Sequence, residues 1–283
     1  MSGIVEITHV AGVATIQDTG RPGRMYEGIP GGGALVPELL ARANEAVGNA
    51  RDAAVIELTG SIAITARGAP VTIATDDGVV RILTDGASVS LDASRSHRLR
   101  YVAVRGGIDV PRVLGGRGTL LVASLGGHEG RALRRGDRLT VGDLVVETPI
   151  VETALSPASN TTAPALDLAS PIRVVLGPDL ARFAPDAAHV LTHEPFALSS
   201  SSDRTGSRLT GPRLTRLDAD DALSSPMIAG AIEVTASGDA IVLGPDHPTT
   251  GGYPILAVIV RADLGRFHAR PIGVPVRFTG GAP

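Results

Sequence analysis

The sequence predicts a mainly β protein of two lobes with a few short helices. Three observations carry that prediction. Short Val/Ile/Leu-rich runs recur along the whole chain of 283 residues, many with apolar and polar residues alternating. Glycine (35) and proline (20) punctuate them, which argues for many tight turns between strands. The two halves also echo each other weakly. Each has an Asp-containing glycine loop (QDTGRPGR and SDRTGSR) and a strand of the form I-E-[LV]-T at residues 56–59 and 232–235. Each ends on a turn and an apolar strand (RRGDRLTVG and RPIGVPVRF), and two related β lobes would explain all of this with one cause.

In chain order, strands are expected at residues 4–8, 13–16, 71–74, 79–83, 101–104 and 139–146, then at 172–176, 232–235, 240–243 and 255–260. One clear helix interrupts them. In ALVPELLARANEAVGN, Val36, Leu40, Ala43 and Val47 fall at helical spacing. Pro37 suits a first turn and Gly48-Asn49 a stop, giving an inserted helix over 34–48. A second helical patch spans 179–191, broken at Pro185. Residues 151–171 are rich in Ser, Thr, Ala and Pro and lack a period. They read as a linker between an N-terminal lobe (1–150) and a C-terminal lobe (172–283).

Composition excludes several chemistries. Apolar residues make up 43% of the chain and aromatics 2%, so the core is expected to consist of Val, Ile, Leu and Ala. There are no cysteines, hence no disulfide, thiol nucleophile or thiolate metal site. There are no lysines either, which removes a Schiff base, a P-loop lysine and a lysine-borne cofactor from this chain. A net charge of −3 gives no reason to expect a nucleic acid or an acidic membrane as partner. No signal peptide or membrane-length apolar run is apparent, so a cytoplasmic protein is expected.

Four stretches could carry chemistry. In QDTGRPGR, Asp18 and Arg21 share a loop with two glycines. A guanidinium can grip a carboxylate or phosphate with two parallel hydrogen bonds; alternatively the Asp caps backbone amides in a tight turn. In SDRTGSR, Arg204 and Arg208 flank Gly206. They either converge on an anion or leave Asp203 to hold the turn by an ion pair. In DHPTTGGYP, Thr250 offers a hydroxyl, and Gly251 and Gly252 offer consecutive amides suited to an oxyanion nest. Pro254 holds Tyr253 extended, placing its ring and phenol at the mouth of an apolar strand. These features read as a binding loop, whereas a plain glycine turn is the simpler alternative. GIPGGGAL lacks the lysine of a P-loop and reads as packing at a helix start. His189 and His193 are four apart without the acidic residue of a zinc motif, so no metal site is expected. His128 and His247 read as solvated loop residues. No Gly-x-Ser-x-Gly elbow is present.

Taken in order, QDTGRPGR, GIPGGGAL with ARANEAVGN, YVAVRGGIDVPRVLGGRGT, GGHEGRALRRGDRL, SDRTGSRLTGP and PTTGGYPILAVIVRADL resemble the family of 5-oxoprolinase C-type subunits. That family is also called allophanate hydrolase subunit 2, KipA-like or biotin-dependent carboxyltransferase. The resemblance implies two cyclophilin-like β-barrel lobes and an obligate B-type (KipI-like) partner, with a larger A-type subunit in bacterial 5-oxoprolinase. It implies an ATP-dependent complex that opens the lactam of 5-oxoproline to glutamate. Two alternatives travel with it: a carboxyltransferase using biotin carried in trans on another protein, and a regulatory binding protein without turnover. On this resemblance Asp18 and Tyr253 are the catalytic candidates, and Arg21, Arg204, Arg208, Thr250, Gly251 and Gly252 bind the anionic substrate group. The chain departs from the family pattern at Val36, Thr205, Ser207, His247 and Pro248, next to the proposed site.

Overall fold

A computed structural model describes residues 3–94, 96–143, 166–218 and 223–280. The chain packs as two compact units. The first comprises residues 1–21, 32–95 and 99–165; the second comprises 22–31, 96–98 and 166–283. Two short segments of the N-terminal half therefore belong with the C-terminal unit. Residues 151–165 of the expected linker lie outside the described residues, as do 144–146 of the expected strand 139–146.

The first unit is built from two antiparallel sheets. One orders Ser88–Leu91, Ser61–Arg67, Ile4–Ala11 and Arg138–Thr140. The other orders Ala14–Gln17, Val55–Leu58, Arg100–Val104, Val71–Thr75 and Val80–Leu83. Both sheets feed one core, with Val5, Ile7 and Ile64 from the first meeting Ile56, Ile73 and Val102 from the second. Strand Val55–Leu58 is buried on both faces. Ile56 and Leu58 turn to that core, while Glu57 takes the opposite face.

Helix α1 spans Pro37–Ala46, shorter than the expected 34–48. Val36 has an extended backbone and no side chain able to cap, so the helix begins at Pro37. The sheet instead anchors the residues leading into the helix. Leu35 N–H donates to Glu57 Oε2 at 2.9 Å, and Val36 N–H donates to the Tyr101 hydroxyl at 2.9 Å. That hydroxyl in turn donates to Glu57 Oε2 at 2.6 Å. At the other end Asn44 and Asn49 tie the helix to the chain, donating to the Ala53 and Val104 carbonyls at 2.8 Å each. The ARANEAVGN stretch is thus a structural rivet.

The second unit is organised by an eight-stranded sheet that nearly closes into a barrel. Its edges are Pro275–Val276, paired with Phe196–Leu198, and Phe278–Gly280, paired in parallel with Ile172–Leu176. Only Arg277 separates the two edge strands, so one short segment stitches both sides of the sheet. The remaining strands are Gly206–Thr210, Ala240–Leu243, Ala231–Val234 and Ile255–Ile259. All four phenylalanines, Phe183, Phe196, Phe267 and Phe278, gather in this core, which is therefore not purely aliphatic as composition suggested. Edge-on packing of Phe196 against Phe278, with centroids 6.0 Å apart, explains the concentration: the large rings fill the barrel.

The patch at 179–191 divides as its proline requires, into a single turn at Leu180–Arg182 and helix α2 at Ala187–His193. Helix α3, Arg261–Ala269, was not anticipated from the sequence. It is fixed by Asp263, whose two oxygens receive Arg173 Nη2 and Nε at 2.8 and 2.9 Å. The Arg173 guanidinium, followed by the Arg173 amide and Arg266, holds the Asp263 carboxyl well below the usual carboxylate range. Among the described residues no helix is long and apolar enough to cross a membrane.

Candidate functional site

In the first unit Asp18 and Arg21 are turned inward. Asp18 is buried and accepts three backbone amides: Gly20 at 2.8 Å, Gly118 at 3.0 Å and Arg117 at 2.6 Å. Arg21 is 1% exposed; its Nε donates to the Val113 carbonyl at 2.9 Å and its Nη2 to the Gly118 carbonyl at 2.5 Å. Glycine makes room for both. A Cβ at Gly126 would stand 2.2 Å from Arg21 Nη2, and one at Gly118 would stand 2.9 Å from Asp18 Oδ1. The glycine-rich stretches around residues 115–118 and 126–127 thus wrap the QDTGR turn. In this unit both side chains organise backbone, the second of the two sequence readings.

In the second unit the two loop arginines part. Arg204 is buried and forms a two-pronged ion pair with Asp246, Nε to Oδ2 at 2.8 Å and Nη2 to Oδ1 at 3.0 Å. Arg208 lies on the exposed side of strand Gly206–Thr210, because side chains alternate there and Ser207 and Leu209 point inward. Asp203 accepts the Thr205 and Gly206 amides at 2.8 and 3.0 Å and closes the turn without an arginine. Behind Arg204 lies a polar interior. Arg98 donates to Ser207 Oγ at 3.1 Å, and that hydroxyl is 3.5 Å from His268 Nδ1. Burial, with the nearby Arg98 and Arg204 charges, pushes the His268 imidazole down to about 3. His268 is therefore neutral at any physiological pH. His247, expected at the surface, is 3% exposed, with Nδ1 2.7 Å from the Pro248 carbonyl.

The TTGGYP stretch is held by strand pairing. Thr250–Gly251 pairs with Ser225–Pro226, and the Met227 amide donates to the Thr249 carbonyl at 3.0 Å. This pairing keeps Gly251 and Gly252 out of the left-handed region, so they do not form an alternating nest. Instead the absent side chain of Gly251 leaves room for what lies beneath it. A Cβ there would be 3.0 Å from Met227 Cε and 3.1 Å from Glu233 Oε1. Tyr253 is 39% exposed and Ile228 51%, so both present apolar surface to solvent. Thr250, Gly251 and Tyr253 therefore belong to one loop, set over a buried carboxyl.

Glu233 was not singled out from the sequence as a site residue. It is 6% exposed, and burial pushes its carboxyl up to about 7. The available signal was a charged residue inside an otherwise apolar strand, AIEV, whose four residues are all buried.

The first unit holds a separate cavity of about 450 Å³ lined by Asp109, Val113, His128, Glu129 and Arg138 among others. None of the sequence candidates lines it. His128 Nε2 is 3.5 Å from Asp137 Oδ1 there, so this histidine is partnered rather than freely solvated.

Comparison with known proteins bears on this geometry. Residues 27–280 match the family described as "Carboxyltransferase domain, subdomain A and B". The chain is 33% identical over 291 residues to the C-type subunit of 5-oxoprolinase from Escherichia coli, covering 97% of this chain and 90% of that protein. It is 30% identical to the corresponding 5-oxoprolinase subunit of Haemophilus influenzae, with the same coverage of both chains. Among solved structures, the urea amidolyase of K. lactis superposes with a TM-score of 0.85 at 23% identity. That match covers 99% of this chain but only 19% of the other, and it speaks to the fold alone.

Proposed function

Because the chain belongs to the family of carboxyltransferase domains with subdomains A and B, we propose that it is the C-type subunit of a 5-oxoprolinase. In this reading it works in the cytoplasm with a B-type partner and a larger A-type subunit. The complex uses ATP to open the lactam of 5-oxoproline to glutamate. The observation that carries the reading is the similarity to the C-type subunits of two bacterial 5-oxoprolinases, spanning 97% of the chain. One feature of the second unit is compatible with it: the glycine loop carrying Thr250 and Tyr253 packs Gly251 directly over the buried Glu233 carboxyl.

The family description favours one other reading, a carboxyltransferase component. A chain without lysine would then take its biotin from another protein. One experiment separates the two. The chain is purified with its B- and A-type partners and supplied with ATP and either 5-oxoproline, or urea with bicarbonate, a biotinylated carrier and the biotin carboxylase that loads it. The 5-oxoprolinase reading expects ATP-dependent glutamate and no carboxylated urea. Carboxylated urea without glutamate would replace it with the second reading.

A further inference from the structure

Glu57 and Glu233 hold the same place in the two echoing I-E-[LV]-T strands, and the protein answers only one of them. Glu57 accepts the Tyr101 hydroxyl and the Leu35 amide. Glu233 is equally inside, yet no described residue donates a hydrogen bond to it. Its aim is set by the backbone. Strand pairing jumps from Ile232–Ala257 to Glu233–Ile255, which leaves Leu256 as the extra residue of a β-bulge. Bulges re-aim side chains, and this one places Glu233 directly beneath Gly251.

We propose that the Glu233 carboxyl is the amide-recognition group of the glycine-loop site, pairing with the N–H and C=O of a cis amide such as a lactam or a urea. The inference rests on the reading of this chain as part of a lactam-opening complex and names the residue that selects the substrate class. A protonated carboxyl presents one O–H donor and one carbonyl acceptor along the same edge. A cis amide presents the matching acceptor and donor side by side, so the two close a ring of two hydrogen bonds. A trans amide points these groups in opposite directions and cannot. No described residue donates to the Glu233 carboxyl, and such a ligand supplies both partners at once.

The protonation this requires is available at neutral pH. Desolvation alone raises Glu233 to about 7. The charged groups on the surrounding elements are engaged elsewhere. Asp179 accepts the Ile255 amide at 2.8 Å, and Arg216 Nη1 donates to the Val234 carbonyl at 3.5 Å. Tyr253 is exposed. Affinity for a cis amide is therefore complete below about pH 7 and declines above it.

The test uses the full chain labelled with carbon-13 at glutamate carboxyls. It is titrated with 2-pyrrolidinone, urea and N-methylpyrrolidinone at pH 6 and pH 8.5. The Glu233 signal, assigned by its loss in Glu233→Gln, should move with the first two and not with the N-methylated lactam. Binding should weaken at least fivefold at pH 8.5. Glu233→Gln, whose side-chain amide also offers a donor beside an acceptor, should keep 2-pyrrolidinone affinity and lose its pH dependence. Glu233→Ala should bind at least tenfold more weakly. Equal binding of the N-methylated lactam, wild-type affinity in Glu233→Ala, or a Glu233 signal silent to both N–H ligands would overturn the proposal. Turnover is scored separately. A successful titration with no glutamate from the complex removes the 5-oxoprolinase reading. An active complex indifferent to Glu233→Ala removes the role of Glu233.

Discussion

Replacing Glu233 by Gln should change how stability depends on pH, and the size of the effect follows from where the side chain sits. A glutamate in an unfolded chain titrates near ~4.3, whereas burial raises Glu233 to about 7. The folded state therefore holds its proton over nearly three pH units in which the unfolded state has released it. The resulting stability is fully present below the unfolded value and is lost as pH rises through about 7. At about 1.4 kcal/mol per unit, the loss amounts to roughly 3–4 kcal/mol by pH 8.5. His268 acts with the opposite sign. Its folded value of about 3 lies below the unfolded ~6.5, so its contribution is present above ~6.5 and is lost as pH falls, about 3 kcal/mol by pH ~4.5. In the wild type the two largely cancel between pH 4.5 and 7. Glu233→Gln removes one of them. Relative to wild type, the variant should gain about 3 kcal/mol between pH 4.5 and 8.5, roughly 10 °C in the melting transition of the second unit. Thermal and urea melts at five pH values measure this. Curves for the two proteins that stay parallel within about 1 kcal/mol across the range would refute the burial argument.

The other predictions concern groups that hold each unit together internally. Asp246→Ala leaves the buried Arg204 guanidinium without its two-pronged partner and should destabilise by about 3–5 kcal/mol in urea melts; Arg204→Met with Asp246→Leu should recover most of that. Tyr101→Phe removes the hydroxyl that accepts the Val36 amide ahead of α1 and donates to Glu57, and should cost about 1–3 kcal/mol by the same measurement. Gly126→Ala forces a methyl to 2.2 Å from both Arg21 Nη2 and the Gly118 carbonyl at a φ of +66°, and should yield chain that fails to accumulate in soluble form. Asp263 is held low by Arg173, so its contribution is complete above ~3.9 and is lost as pH falls below it. Asp263→Asn should flatten the acid limb of a pH-melting profile, at the cost of stability at neutral pH.

Local pattern carried much of the fold. Residues 172–176 and 240–243 were readable as strands to their ends because their apolar runs stop at Gly, Pro or Asp. The break before α2 was readable because Pro185 cannot sit within a helix. Helix α3 was not readable. RADLGRFHA has a glycine in its middle, and its buried face includes Asp263 and His268, so no apolar stripe marks it. Its stability comes from Arg173, 90 residues earlier in the chain. Strands Ser61–Arg67 and Ser88–Leu91 were obscured by serine, threonine and arginine on their outer faces.

The TTGGYP stretch stands out in the sequence because an aromatic beside two glycines is unusual in a chain with so few rings, and the structure shows only its pairing with Ser225–Pro226. The fates of Asp18, Arg21 and Arg204 were not legible. Whether a charged loop residue faces a ligand or its own backbone depends on glycines about 100 residues away, and on Asp246 in the case of Arg204. Glu233 was hidden for a related reason. Its twin Glu57 shows that the same motif can be purely structural, and only the partners distinguish them.

Leaving this one chain out of the complex is the decisive experiment for the functional assignment. Glutamate released from 5-oxoproline and ATP is measured with the B- and A-type subunits present, with and without the chain. Release is expected only when the chain is added, in proportion to it until the partners are saturated. Equal release in its absence, or none in either case, would rule the assignment out.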